Sequence, residues 1–378
     1  MTSPRPVLPD YSGANITGLV EALLSPAGQR PGWLPAPLAD AEQVVLLVVD
    51  GLGWLQLKER AALAPCLSSM TGDAITSVIP STTATALTSI TVGRPPAEHG
   101  VVGYKVAVEG PTGPEVMNVL RWRTPSGDAR GFVPPEGFQP LTPFGGRAVP
   151  VVSKAEFNGT GFSVAHQRGA AVAGSVAASS LAVDVRRLVE AGNPLVYAYY
   201  EGVDKVAHFN GFGDHYDAEL RAVDGLVNDL LAVLPRGAAL AVTADHGQVE
   251  VGDRARVLED EVVRRTRLIS GEARFRWLHA ADQTDAGIKD LASVATDIYG
   301  SDAWVVTLEE VEGDGWLGGP LSDEVRARLG DVAVVPHAPV GYLSPSENGE
   351  PVLRCRHGSL TPQEMFVPLV ADQGRLGG

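Results

Sequence analysis

VVLLVVD, Val44–Asp50, is the stretch on which the fold turns. An unbroken apolar run rich in Val reads as a strand buried on both faces, as in a parallel sheet covered by helices. The run ends on Asp50, followed by Gly51-Leu52-Gly53. In open α/β sheets the C-terminal strand edge is where ligand sites form. An ordinary helix N-cap is the plain alternative for Asp50, and this stretch alone leaves the two readings level.

The same pattern recurs further along. LVYAYY, Leu195–Tyr200, reads as a strand and runs into EGVDKVAHFNGF. Asp204 and His208 stand four apart, so a helix puts both on one face, a spacing that suits a metal. AALAVTADHG, Ala238–Gly247, is again an apolar strand ending on an acid, Asp245, now with His246 beside it. Carboxylate and imidazole together suit Zn or Mn. Near the C-terminus, RCRHGSLTPQEMFVPLV sets His357-Gly358 in a turn before a helix start and a final apolar strand.

Between the first two strands lies VIPSTTATALTSI, Val78–Ile90. A β-like run, Ala74–Ile79, meets Pro80, and ATALTSI reads as a helix with Ser81, Thr82, Thr83 and Thr85 at its start. Helix N-termini favour negative charge. Alone, this is a Ser/Thr N-cap. With acids and histidines nearby, one hydroxyl becomes a candidate nucleophile.

The remaining segments are read more coarsely. Residues 1–40 form an irregular lead-in with a helical stretch at Ile16–Leu24, and a helix is expected near Leu55–Ala64. Ala107–Pro150 reads as loop-rich, a candidate binding loop or lid. Within it, NVLRWR offers Arg121 and Trp122 to a phosphate and a base; the plainer reading is a strand with surface arginines and a packed Trp. Gly161–Ala165 is expected as a strand, with helices at Val176–Glu190 and Tyr216–Leu234. The acids of the latter, Asp217, Glu219, Asp224 and Asp229, read as a solvated face. Residues 252–335, dense in charge, read as an α+β insertion: strands in ARFRWLHA, AWVVTLE and DVAVV, and helices at Asp285–Tyr299 and Ser322–Leu329.

The 378 residues suffice for a large α/β core with an insertion, or for two domains. A formal net charge of −15 argues against nucleic-acid polymers as partners. It leaves room for a small phosphate ligand, since bound cations reverse the local field. Two cysteines without CxxC spacing imply no disulfide framework. With no apolar leader and no membrane-length apolar run, a cytoplasmic protein is expected, with no membrane or protein partner implied.

Asp50, Thr83, Asp204, His208, Asp245, His246 and His357 together could serve two divalent ions and one oxygen nucleophile. VVDGLG, IPSTTATALTSITVGRPPAEHG, YYEGVDKVAHFNG, TADHG and RHGSLTPQEMFVPLV, in this order, resemble the alkaline phosphatase superfamily, and within it the type I phosphodiesterase/nucleotide pyrophosphatase branch. The resemblance implies an α/β fold with a mostly parallel central sheet, helices on both faces and a smaller α+β insertion. The catalytic core would comprise 1–251 and 336–378, and the insertion 252–335. One metal site would use Asp50, Thr83, Asp245 and His246; the other Asp204, His208 and His357. Thr83 falls on the family's nucleophilic threonine, to be phosphorylated in turnover, with Thr82 and Thr85 as fallbacks.

Two departures stand out. The family's Phe-Pro-Asn-His run after the nucleophile is replaced by Ala84, Thr85, Ala86 and Leu87. Its phosphoryl-binding asparagine is replaced by Tyr104, beside Lys105. Within the branch, the chain looks most like actinobacterial enzymes that hydrolyse cyclic di-AMP to the linear dinucleotide and AMP, with Mn²⁺ expected and Zn²⁺ open. A general nucleotide pyrophosphatase, a phosphomonoesterase, a phosphonoacetate hydrolase and a non-catalytic nucleotide sensor are the alternatives.

Overall fold

The computed structural model describes residues 4–347 and 352–377. Residues 1–3 and 378, the ends of the expected core, lie outside the described residues, as do 348–351. A seven-stranded sheet organises the chain. Its strands are β1 (Gln43–Val49), β2 (Thr71–Thr76), β3 (Pro150–Lys154), β4 (Ala171–Ser175), β5 (Leu195–Tyr200), β6 (Ala238–Thr243) and β7 (Phe366–Gln373), in the order β2-β7-β6-β1-β5-β3-β4. The strands from β6 to β4 in that order are parallel, and β7 runs antiparallel to both β6 and β2. The fold is therefore α/β with a mostly parallel sheet.

β1 sits at the centre, with Val44 to Val49 all at most 1% exposed. Both faces of the strand must then be covered, which explains why it reads as a continuous apolar run. Helices Ala178–Glu190 and Asp214–Val233 pack on each other, while Thr83–Val92 packs on Gly161–Gln167 and on the N-terminal turn Ile16–Gly18. The register sets Val48 beside Tyr199 and beside Thr243, so β5, β1 and β6 end together.

A second, four-stranded antiparallel sheet comprises Thr266–Glu272, Phe275–Ala280, Val332–Pro336 and Ala303–Thr307. Phe275, Trp277, Ala333 and Val335 join the main core. Leu278, Val332 and Val334 pack with Leu291, Ala295 and Tyr299 of helix Asp285–Tyr299 in a core of their own. Period-two alternation gives three of these strands one side-chain set for each core, while Thr266–Glu272 packs Ile269 against the second.

Some expectations need correction. Gly161–Ala165 is not a strand: Gly161–Gln167 is a helix, because the Thr160 side chain accepts from the Ser163 amide at 3.1 Å and starts a helical turn. The strands of this region are β3 and β4, which the sequence reading passed over. The loop-rich stretch contains an antiparallel hairpin, Lys105–Gly110 with Gly113–Asn118, whose GPTGP tip is the turn. Ala74–Ile79 is displaced to Thr71–Thr76, since pairing with Phe366–Ala371 ends there. In helix Asp214–Val233, Asp217 accepts from Arg60 Nε at 3.1 Å, Asp224 from the Cys66 and Leu67 amides and Glu219 from the Tyr200 hydroxyl, so those three acids are not merely solvated. Among the described residues, no helix is long and apolar enough to cross a membrane.

Candidate active site

Three neighbouring strands deliver the acids. Asp50 follows β1 and donates its amide to Tyr200 O at 2.9 Å; Asp204 lies in helix Gly202–Asn210 after β5 and donates its amide to Asp50 O at 3.0 Å. Asp245 follows β6, and its Oδ1 accepts from the Gly51 and His246 amides, each at 3.0 Å. Gly51 has φ +74°, and an added Cβ would lie 2.9 Å from Asp204 Cα, so this turn admits no side chain.

Each of three histidines is oriented by the backbone. Nδ1 of His208 lies 2.7 Å from Cys355 O, that of His246 3.0 Å from Gly247 O, and that of His357 2.9 Å from Ser81 O. A carbonyl only accepts, so each Nδ1 carries a proton, and in the neutral ring this places the lone pair on Nε2. Those lone pairs face the carboxylates. His208 Nε2 is 3.2 Å and His357 Nε2 3.8 Å from Asp204 Oδ1. His246 Nε2 is 3.4 Å from Asp50 Oδ1 and 3.3 Å from Asp245 Oδ2.

Two ligand clusters result: Asp204, His208 and His357, and Asp50, Asp204 and His246. Asp204 belongs to both by distance, whereas the sequence reading gave it to one. The rings of His246 and His357 stack at 3.6 Å, which makes the clusters neighbours.

The donor set fits divalent cations. Asp50 Oδ1 and Asp245 Oδ2 are buried without a hydrogen-bond partner among the described residues. Burial, then the nearby Asp245 and Asp204, push the Asp50 carboxyl well above its usual range, and burial raises Asp245 as well. Burial, then His246 and His208, push His357 well down, so it stays neutral. Buried acids this close need compensating positive charge, and imidazoles held through Nδ1 present Nε2 for ligation.

Thr83 stands beside this constellation. It opens helix Thr83–Val92, whose N-cap Thr82 makes no side-chain cap bond. Its Oγ1 is 3.2 Å from His246 Nε2. Ser81, Thr82 and Thr85 are fully buried, and Thr83 alone of the four hydroxyls is partly exposed. Ser81 Oγ donates to Ser359 O, and Thr82 Oγ1 to Thr85 Oγ1.

Two cavities meet at Thr83, Leu120, Asp204 and Lys205. One, about 250 Å³, is walled by Leu87, Phe157, Phe162, His166 and Tyr199. The other, about 400 Å³, is charged, and Tyr104, Lys105, Arg121, Glu272, Glu347 and Arg356 line it. Tyr104 Oη accepts from Asn118 Nδ2 at 2.7 Å, and Lys105 Nζ is 2.7 Å from Glu347 Oε1.

Trp122 leaves the set of substrate contacts. It is 1% exposed, donates its indole N–H to Val133 O at 2.8 Å and packs edge-on against Phe138. It is a packed core Trp, as the plainer reading had it, but it lies in a turn (φ +51°) and not in the strand that reading gave it. Phe157, Phe162, Lys205 and Glu272 were missed. They lie far apart in sequence and carry no motif, so only the fold gathers them. Tyr199 was missed as well; its hydroxyl donates to Asp50 Oδ2.

The family model for type I phosphodiesterase/nucleotide pyrophosphatase matches residues 44–175 and 165–337. Among solved structures, the chain is similar to human ectonucleotide pyrophosphatase/phosphodiesterase 5, with 13% identity, coverage of 89% of this chain and 90% of that one, and a TM-score of 0.62. The murine counterpart, an inactive form in complex with AMP, matches with 13% identity, 89% and 90% coverage and a TM-score of 0.61. Phosphonoacetate hydrolase from Sinorhizobium meliloti 1021, in complex with phosphonoacetate, shows 18% identity, 92% coverage of both chains and a TM-score of 0.64. No curated protein sequence matches this chain.

Proposed function

The chain belongs to the type I phosphodiesterase/nucleotide pyrophosphatase family, and on that premise we propose that it hydrolyses a nucleotide phosphodiester through Thr83, with cyclic di-AMP as the substrate. The protein is a metal-dependent hydrolase on the alkaline phosphatase scaffold. The observation that carries the reading is Thr83 Oγ1, the one partly exposed hydroxyl of its run, 3.2 Å from His246 Nε2 at the junction of two cavities. A diester has a substituent on each side of its phosphorus, and the site has a cavity on each side of Thr83. Phosphonoacetate would leave one of them without use.

Asp50, Asp245, His246 and Thr83 would hold one metal ion, and Asp204, His208 and His357 the other, with Asp204 near both. Two such ions supply the positive charge that favours the threonine alkoxide and steadies the leaving oxygen. We propose Mn²⁺ because carboxylate and hydroxyl oxygens dominate around Asp50, with Zn²⁺ as the alternative. Thr83 presents its oxygen to phosphorus. The hydroxyl gives up its proton as the Thr83–phosphorus bond forms, the bond from phosphorus to the leaving oxygen breaks and that oxygen gains a proton, which opens the ring of a cyclic substrate or releases one half of a linear one. Water then cleaves the phospho-threonine and restores the hydroxyl. The uncapped first turn of helix Thr83–Val92 suits a phosphoryl group.

The nucleoside that stays with the phosphorus would occupy the cavity of Phe157, Phe162 and Leu87, where a base meets aromatic and apolar surface. Residues 252–335 are read as an insertion whose Glu272 and Ala273 wall the charged cavity. Two unbridged thiols, Cys66 and Cys355, support a reducing cytoplasm.

Product analysis tests the reading. Cyclic di-AMP with Mn²⁺ should yield the linear dinucleotide and then AMP, and Thr83→Ala should yield neither. Cleavage of phosphonoacetate without cleavage of any diester would overturn it.

A further inference from the structure

The charged cavity has a chemistry that diester cleavage by itself does not require. The chain carries a formal charge of −15, yet four cations, Lys105, Arg121, Lys205 and Arg356, line this one chamber against three acids, Asp204, Glu272 and Glu347. Lys205 stands at its waist, one of four residues that border both cavities, next in sequence to Asp204. Its Nζ is 3.2 Å from Glu201 Oε1, and its side chain is 51% exposed. Glu201 is buried and also takes the Lys154 ammonium. One carboxylate shared by two ammonium groups cannot neutralise both.

Arg121 is exposed on the turn after Asn118, at the same chamber. Tyr104 completes the set. Its oxygen already accepts from Asn118, so its own proton is available to an acceptor in the chamber. Burial keeps that phenol protonated. Cations and a hydroxyl donor around one chamber match the oxygens of a phosphate.

We propose that the charged cavity is a subsite for a second phosphate, carried by the leaving half of a dinucleotide, with Lys205 and Arg121 as the residues that select it. The inference rests on the nucleotide reading above and adds to it. The base side would grip the half that stays on Thr83, and the charged side the half that departs. The enzyme would then prefer dinucleotides whose leaving half ends in a phosphate.

Two substrates that differ only in that group test it: 5′-phosphoadenylyl-adenosine, and adenylyl-adenosine without the terminal phosphate. With Mn²⁺, the wild-type protein should favour the phosphorylated one by about tenfold or more in kcat/KM, the scale of one charged hydrogen bond. Lys205→Met and Arg121→Ala should each cut that preference at least about fivefold, through KM, with thermal midpoints unchanged. Equal wild-type rates on the two substrates, or a preference that survives in the double variant, would overturn the subsite and leave the diester reading intact. Failure to cleave either dinucleotide, with bis-p-nitrophenyl phosphate still cleaved, would overturn the nucleotide reading and the subsite with it.

Discussion

Thr83 Oγ1 and His246 Nε2 lie 3.2 Å apart, an oxygen nucleophile against an imidazole whose other nitrogen is tied to Gly247 O. The hydroxyl is thus next to the ligand cluster rather than capping its own helix. Thr83→Ala should lower kcat on bis-p-nitrophenyl phosphate by about a thousandfold or more. The thermal midpoint should stay near wild type, because Ala is well tolerated in the first helical turn, and metal should be largely retained through Asp50, Asp245 and His246. Near-normal turnover by this variant would rule Thr83 out as the nucleophile.

Asp204 sits within reach of both ligand clusters. Metal analysis of Asp204→Asn should therefore show weaker retention at both sites, whereas His208→Ala should lose about one equivalent. One full equivalent retained by Asp204→Asn would return the residue to a single site.

Metal removal should also destabilise the fold. Asp50 and Asp245 are buried beside each other, each with an oxygen that finds no hydrogen-bond partner among the described residues. Chelator should lower the thermal midpoint, and Mn²⁺ at a hundred times its Kd should restore roughly 2.7 kcal/mol. A midpoint indifferent to chelator would mean that those carboxylates are neutralised in some other way.

Arg274 and Glu364, both fully buried, form a two-point ion pair at 3.0 and 2.6 Å. Arg274 comes from the turn of the second sheet; Glu364 also accepts from the Ser359 amide and the Thr361 hydroxyl, just after His357. Arg274→Met should cost about 3–5 kcal/mol in urea unfolding, because it leaves Glu364 buried without a counter-charge. Arg274→Lys should recover only part, since an ammonium cannot fork.

Acid should weaken the protein through its buried histidines. Burial, with Arg328 nearby, holds His99 at about 3 against an ordinary 6.5. Burial holds His166 at about 4, and burial together with Arg267 holds His279 at about 4. Between those values and 6.5 the unfolded chain binds more protons, so stability rises with pH there. It is fully present above about 6.5 and lost as pH falls, by about 1.4 kcal/mol per histidine per pH unit. His99→Gln should flatten the slope of urea stability between pH 7.5 and 5.5. An unchanged slope would show that His99 is protonated in the fold.

The central strands were legible because full burial on both faces writes a continuous apolar run, as in Val44–Val49. Asp50, Asp245 and His246 were legible because they end such runs, Asp204 and His208 because they share one helix face just after one, and His357 because it sits in a His-Gly turn before the last strand. β3 and β4 were not, since PVVSK and AVAGS are short and mixed and lie nearer the sheet edge. Gly161–Gln167 misled because GFSVA alternates like a strand, while its deciding signal was the Thr160 cap one residue earlier. The cavity walls were illegible for another reason. Phe157, Phe162 and Lys205 share a cavity only once the main sheet has gathered their segments, Glu272 reaches the other cavity from the second sheet, and nothing local marks them.

The synchronous endings of β5, β1 and β6 carry a consequence for how such a protein can diversify. Asp50, Asp204 and Asp245 are borne by adjacent strands locked in register, while Phe157, Arg121 and Glu272 hang on turns and a peripheral sheet. Drift in those outlying segments can rewrite what the protein accepts without shifting a single ligand of the metal clusters. Selection, or a designer, can thus exchange substrates on this scaffold while the reaction itself is inherited unchanged.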